Sequence, residues 1–280
     1  MSRRRTARRA TVLALGASLG LMAACAAPRA TGGLATGGSP GHSEAVRRAL
    51  PTSVRVHVLA QGKLARTASG VCLLGDAGAR RSFVLTNEHV VERGELPAAP
   101  SFAVVVEEPR GGSRELPARV VAQGSVPNED LALLEVDGVA LPAARLAEAD
   151  SPEVGDDVVV VGAPFGRNLT VSSGLVSSLD WGGEGRGRQQ VSLKTDAPIG
   201  YGTSGGGIFR VGDGQLLGVI EGYRTARVEF PVQRETYGFD VPMPGETFAA
   251  PAAKIRRFLF VHGLTAILEG RDPAKVATSR

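Results

Sequence analysis

Between residues 53 and 250 the apolar positions fall in short runs, broken by glycine, proline or polar clusters, and helical spacing is almost absent. Such runs predict strands. A first group covers 53–60, 67–74, 82–86, 102–107, 116–123 and 131–136. A polar stretch containing Ala and Pro, 137–155, leads to a second group at 157–162, 169–178, 190–195, 206–210, 215–222, 237–241 and 247–250. Twelve or so short strands in two groups predict an all-β protein of two packed antiparallel barrels or sandwiches, with a site between them. Only the end, about 251–268, carries helical periodicity. There Ile255, Phe258, Leu259 and Leu264 recur at near-helical spacing, with Arg256 and Arg257 outward. A short helical turn is expected over 43–50, stopped by Pro51. Segments 182–188 and 223–237 read as surface loops, and Trp181, the only tryptophan, as a core residue or a loop anchor.

Composition supports this reading and removes one function class. Hydrophobic content of 43% and charged content of 21% are those of a soluble globular protein, and 280 residues leave ample length for a core. The 37 glycines and 17 prolines favour turns and short strands over a helical bundle. A net charge of +4 invites a nucleic-acid partner. However, Arg3, Arg4, Arg5, Arg8 and Arg9 lie in the first 24 residues with no acid among them, and taking those five away leaves −1. The basicity belongs to an N-terminal address, and no nucleic-acid partner is expected.

That address covers 1–25. Its apolar run, 10–24, is too short for a stable membrane span. The end, Leu21-Met22-Ala23-Ala24-Cys25, resembles the lipobox of bacterial lipoproteins, which implies cleavage and lipid attachment at Cys25. Met22 departs from the usual leucine, so plain cleavage in the alanine-rich segment stays open, as does an uncleaved anchor. Export to the periplasm or outer cell envelope is expected, with membrane association through the lipid. Residues 26–42 form a tether of 17 residues, spanning about 20–25 Å as a random coil. The body then runs over 43–270, with barrels at about 52–137 and 154–250, the helix at 251–268 and a tail at 271–280.

With only two cysteines, a lipidated Cys25 leaves Cys72 without a partner. Cys72 sits in the apolar run 70–74 and reads as a small buried hydrophobe. Of four histidines, His42 lies in the tether, His262 near the end of the terminal helix and His57 within a strand. His89 differs, because it follows the buried run 83–86 where the strand gives way to a turn. That is a good place for a general base, though an ordinary half-buried histidine would look the same. Asp130 opens the apolar strand 131–136, where a lone acid is costly unless partnered. It is either a turn cap or the group that orients the His89 ring. Ser204 lies in Gly202-Thr203-Ser204-Gly205-Gly206-Gly207. Glycine permits close approach and unusual backbone angles, so a hydroxyl there can be exposed beside converging N–H groups. Nucleophile and oxyanion donors are what acyl transfer needs; a tight glycine turn is the plainer reading. His89 and Asp130 fall in the first strand group and Ser204 in the second, so the cleft is where all three can meet. Acyl transfer by these groups calls for no cofactor and no metal.

Taken in order, the motifs resemble those of a trypsin-like serine protease of the HtrA/DegP type. They are 86–91 around the histidine, 130–136 around the aspartate, 161–166 (Val-Gly-Ala-Pro-Phe-Gly), 170–177, 195–206 around the serine, and 247–251 before the terminal helix. The resemblance covers about 44–262. It implies two six-stranded antiparallel β-barrels, a His89, Asp130 and Ser204 triad, an oxyanion hole from the N–H groups of Gly202 and Ser204, and protein or peptide substrates. It also implies a specificity pocket with Pro198 and Ile199 at its base and Val219, Ile220 and Glu221 along one wall. An apolar base favours small aliphatic side chains before the cut; Glu221 would contradict this if it pointed inward, but it is expected to be an exposed strand-end acid. A homo-trimer follows by family analogy alone. Thr203 stands where the family usually has asparagine or aspartate, so the loop is expected to lose a hydrogen-bonding side chain. Gly207 replaces a common proline or alanine and is expected to loosen the next strand. After the terminal helix too few residues remain for a PDZ domain.

Two other readings stay open. Residues 202–206 also fit a nucleophile elbow, which would need a helix directly after Ser204 and an acid such as Asp240 followed by His262. The departures at 203 and 207 suit a catalytically weak or inactive protease-fold protein that binds unfolded polypeptide or a partner.

Overall fold

The computed structural model describes residues 41–108, 111–232 and 235–277; the leader, Cys25 and residues 26–40 of the tether lie outside the described residues. Six strands make the first sheet: β1 Ser53–Ala60, β2 Lys63–Asp76, β3 Arg81–Thr86, β4 Ser101–Glu107, β5 Ser113–Ser125 and β6 Glu129–Asp137. They pair antiparallel in the order β1-β2-β3-β6-β5-β4, and β4 returns to β1 from Arg55↔Val105 to Leu59↔Ser101, which closes a barrel. The second sheet holds β7 Asp157–Gly162, β8 Thr170–Gly182, β9 Gln189–Thr195, β10 Gly207–Arg210, β11 Leu216–Val232 and β12 Glu235–Pro251. Its order is β10-β11-β12-β9-β8-β7, and it closes where Gly207 to Arg210 pair with Val161 to Val158. The protein is thus two six-stranded antiparallel barrels, as the strand pattern and the resemblance implied. Among the described residues four α-helices accompany them: α1 His42–Ala49, α2 Glu88–Val91, α3 Ala252–Val261 and α4 Pro273–Ala277.

The side-chain period of two explains both kinds of strand. Along β6 no alternation shows, because both faces are covered. Leu131 and Leu133 join an apolar cluster shared with the second barrel, while Ala132, Leu134 and Val136 fill the interior of the first. On β2, Val71 and Leu73 face the shared cluster and Cys72 faces the interior. The barrels are therefore joined by a continuous apolar layer, into which α1 sends Ala45 and Ala49 and α3 sends Ile255, Phe258 and Leu259. The connection after β6 is stitched in place as well. Ala144 N–H donates to the Cys72 carbonyl at 2.8 Å, and Ala147 N–H to the Leu216 carbonyl at 3.0 Å. Burial pushes the Cys72 thiol up to about 12, consistent with a packing residue.

Three local expectations are corrected. Segment 223–237 is not a loop: β11 and β12 run on together as a two-stranded ribbon, paired through Phe230↔Tyr237 and Val228↔Phe239. Its aromatic residues Phe230, Tyr237 and Phe239 are exposed, with Phe230 against both others at 6.3 and 6.2 Å between ring centres. The terminal helix stops at Val261, and a separate 3-10 turn follows at Thr265–Glu269. Gly207 does not loosen its strand. A Cβ there would lie 2.5 Å from the Phe209 ring and 2.9 Å from Val71, so the missing side chain makes room for a buried phenylalanine. Trp181 is half exposed on β8, with the Arg188 guanidinium 5.2 Å from its ring centre.

Candidate active site

The base and its acid come from the first barrel, on the short helix α2 and the start of β6. The Asp130 carboxylate takes two hydrogen bonds from one residue: His89 N–H donates to Oδ1 at 3.0 Å, and the ring Nδ1 lies 2.7 Å from Oδ2. An ionised carboxylate only accepts, so a neutral ring in this position carries its hydrogen on Nδ1 and turns the Nε2 lone pair to the cavity. Asn87, wholly buried, donates from Nδ2 to the Asp130 carbonyl at 2.9 Å. Arg66 on β2 donates to the His89 carbonyl at 3.3 Å. The ring stays 40% exposed while Asp130 is 14% exposed, so a substrate can reach the base but not its acid.

The nucleophile comes from the loop between β9 and β10, and its shape is set by backbone bonds. Thr203 N–H donates to the Gly200 carbonyl at 3.1 Å, and Gly200 N–H donates back to Thr203 Oγ1 at 3.3 Å. The threonine hydroxyl therefore supplies a hydrogen bond to this loop, contrary to the expectation from its departure. Gly205 has φ +83°, and a Cβ on it would lie 2.0 Å from the Ser69 carbonyl oxygen. Only glycine fits this position.

Ser69, fully buried on β2, binds the loop to the first barrel. Its N–H donates to the Ser204 carbonyl at 2.8 Å and its hydroxyl to the Gly202 carbonyl at 2.7 Å. The same hydroxyl accepts from Ala163 N–H at 2.9 Å, and its carbonyl accepts from the Thr86 hydroxyl at 2.8 Å. Nothing in its local sequence distinguishes it from any strand serine, which is why sequence reasoning missed it.

Among the described residues four N–H groups of the loop meet no acceptor, those of Ile199, Tyr201, Gly202 and Ser204, and the last two flank the nucleophile. Thr203, Gly205 and Gly206 each spend theirs within the fold, whereas those of Gly202 and Ser204 meet no acceptor among the described residues. The Tyr201 carbonyl accepts from Phe165 N–H. Because a trans peptide holds C=O and N–H antiparallel, the Gly202 N–H points the opposite way from Phe165. Free donors beside a serine are the arrangement an oxyanion needs.

His89, Gly202 and Ser204 line one cavity of about 330 Å³, together with Ile199, Gly200, Tyr201, Gly222, Tyr223 and Thr225. Within it no hydrogen bond joins the Ser204 hydroxyl to the ring; such bonds tighten when substrate binds. Tyr201 and Tyr223 meet edge to face at 5.8 Å. Burial, with the Tyr201 hydroxyl beside it, raises the Tyr223 phenol to about 12. The lining carries no carboxylate.

The expected specificity wall needs revision. Ile199 lines the cavity, and Pro198 faces a neighbouring one of about 220 Å³ together with Phe165. Val219 and Ile220 do not line it. They are fully buried in the shared core, because β10 and β12 flank β11 at Val219 on both sides. Glu221 is not exposed either. Its side chain is 10% accessible and lies 2.6 Å from Lys254 Nζ of α3. The wall lies three to four residues further on, at Gly222, Tyr223 and Thr225, beyond a register shift between Ile220 and Gly222. The α/β-hydrolase reading fails as well. A strand, β10, follows Ser204, Asp240 pairs with Arg227 on the ribbon at 3.5 Å, and His262 packs tilted against Phe258 with ring centres 4.6 Å apart.

The family profile described as the trypsin-like peptidase domain matches residues 68–219, over half of the chain. The chain belongs to this trypsin-like peptidase family. It is similar to the periplasmic serine endoprotease DegP of Escherichia coli K12, 34% identical over 160 residues, which is 57% of this chain and 30% of that protein. The periplasmic pH-dependent serine endoprotease DegQ of the same strain is 33% identical over 142 residues, covering 50% of this chain and 29% of that one. Among solved structures, the serine endoprotease from Yersinia pestis matches 79% of this chain and 65% of its own with a TM-score of 0.54 at 26% identity. The HtrA-type protease AlgW with tripeptide matches 80% and 65%, with a TM-score of 0.55 at 27% identity. The match thus spans about 30% of the length of the curated relatives.

Proposed function

We propose that this trypsin-like peptidase is an exported serine endopeptidase that cuts proteins through an acyl-enzyme. The reading rests on one observation: a histidine held by an aspartate, a serine, and two free N–H groups face a single cavity. In the reaction, Nε2 of His89 takes the Ser204 proton as the hydroxyl oxygen attacks the substrate carbonyl. Asp130 holds the ring and stabilises the imidazolium. The carbonyl oxygen becomes an oxyanion that accepts from the Gly202 and Ser204 N–H groups; one such donor is commonly worth about 10²–10³ in rate. The imidazolium then protonates the leaving amine, and water, deprotonated by the same ring, frees the acid. The uncharged lining of Ile199, Tyr201, Tyr223 and Thr225 favours an apolar side chain before the cut.

Location follows from the leader and from the relatives. The arginine-rich start and apolar run direct the chain out of the cytoplasm, DegP and DegQ are named as periplasmic, and Cys25 is the residue for a lipid anchor. A trimer is proposed by analogy only. A fluorophosphonate probe tests the activity. It should label the protein at Ser204 and lose all labelling in Ser204→Ala, with casein cleavage lost in parallel and the melting temperature unchanged. Casein cleavage by Ser204→Ala would refute the proposal.

A further inference from the structure

The outer halves of β11 and β12 stand clear of the barrel they come from. β10 pairs with β11 only from Leu216 to Val219, and β9 with β12 only from Thr247 to Ala249. Beyond those limits each strand of the ribbon has the other as its one strand neighbour among the described residues. Opposed residues of an antiparallel pair share a face, and so do alternate residues of one strand. The pairs Ala226↔Val241, Val228↔Phe239 and Phe230↔Tyr237 therefore put six apolar or aromatic side chains on one face. Arg227, Glu229 and Asp240 fall on the other, where Arg227 meets Glu229 at 3.4 Å and Asp240 at 3.5 Å. The ribbon is thus amphipathic, yet its apolar face is open: Val228, Phe230, Tyr237 and Phe239 are between 42% and 53% exposed. A contiguous exposed apolar patch marks a place of interaction.

The base of the ribbon belongs to the candidate active site. Gly222, Tyr223 and Thr225 line the cavity that holds His89 and Ser204, and Tyr201 of the nucleophile loop meets Tyr223 edge to face at 5.8 Å. Val228 and Phe230 lie three and five positions beyond Thr225 on β11. At the rise of a strand these steps are about 10 and 17 Å, a span that an extended chain leaving the cavity covers with about three to five residues. We propose that the apolar face of the ribbon is a second contact for the substrate, holding an extended apolar or aromatic segment a few residues away from the bond that is cut. This rests on the serine-endopeptidase reading and adds to it which polypeptides the site takes.

Two other occupants fit the face less well. A stable interface between copies buries roughly 20–30 residues a side, whereas this face offers six side chains. Anionic lipid is drawn by lysine and arginine, and none of the described side chains on the face is cationic. A peptide segment needs neither a large area nor charge, because a few aromatic contacts hold it weakly and locally.

The test reads binding apart from cleavage, in the Ser204→Ala protein, with two fluorescent peptides. Both carry the same residues for the cavity, taken from casein, flanked by about six residues on either side, enough to reach the ribbon. In one peptide the flanks alternate Phe and Val; in the other Ser replaces them. By fluorescence anisotropy the first should bind about tenfold more tightly. Phe230→Thr combined with Phe239→Thr should remove that preference, threonine being chosen because it suits a strand. In proteins that keep Ser204, the ratio of kcat/KM between the two peptides should fall about tenfold in the same double variant, through KM. If the double variant does not fold, Phe239→Thr alone serves. A preference that survives the substitutions, or none in the protein with an unaltered ribbon, overturns the proposal. So does a double variant that sediments as a smaller species, which would make the face a contact between copies, or one that loses binding to phosphatidylcholine vesicles, which would make it a membrane contact. Absent cleavage and absent fluorophosphonate labelling, with the binding preference intact, overturn the peptidase reading alone.

Discussion

The two barrels hold their shares of the site by different means. In the first, His89 and Asp130 are fixed by side chains that bind side chains and carbonyls, with Asn87 and Arg66 bracing the same two residues. In the second, the nucleophile loop is fixed mainly by backbone angles and backbone bonds, with the Thr203 hydroxyl and, at its start, the Asp196 carboxylate as the side chains that hold it. The first arrangement resists loss of geometry but fails when one functional group changes. The second tolerates changes of functional group and fails when one Cβ is added. Ser69 stands between them, belonging by sequence to the first barrel and by its bonds to the second.

The comparison can be broken from either side. Asp130→Asn should have the largest effect, a fall of about 10⁴ in labelling rate, because the amide can turn its NH₂ to the ring and force the wrong tautomer. Its melting temperature should hardly move; a fall of only a few-fold would mean that the ring is oriented by something else. Gly205→Ala should lower labelling by about 10² or more and destabilise the fold by about 3 kcal/mol, since a methyl group must fit 2.0 Å from the Ser69 oxygen at a left-handed angle. Chemical denaturation would measure this, and unchanged stability would place the loop's rigidity elsewhere. Ser69→Ala removes one donor and one acceptor from a buried crossing and should cost about 1–3 kcal/mol. Labelling should fall about tenfold with little change in KM for a peptide substrate, as expected if the hydroxyl orients the Gly202 peptide; a change confined to KM would contradict that role. The smallest effect concerns the barrel wall. Cys72, buried and with its thiol raised to about 12, should resist iodoacetamide at pH 8 in the native protein and react in urea. Rapid native alkylation would show that the first barrel opens.

The same contrast explains how much the sequence could disclose. His89, Asp130 and Ser204 are distinctive residues at strand ends, and their setting is visible in the chain. The continuous run 131–136 was legible as a strand, though why it lacks alternation was not, because the second barrel that covers Leu131 and Leu133 comes from later in the chain. The specificity wall was misplaced because β11 shifts register between Ile220 and Gly222 and again between Tyr223 and Thr225, and no residue type announces a bulge. The ribbon was taken for a loop for another reason. Within 223–237, Pro231 is a turn signal, and the alternating Val228 and Phe230 have no core to face, so the pattern matched no buried strand. Lys254 was hidden by distance, since its partner lies 33 positions away in another element.

The outward turn of Leu131 and Leu133 has a consequence for how the chain comes apart. Cutting the backbone in the connection between β6 and β7 would give two pieces, each closed upon itself yet bare and greasy along one flank. Neither piece should stay dispersed alone. Supplied together, they should find one another without help and rebuild a whole cleft.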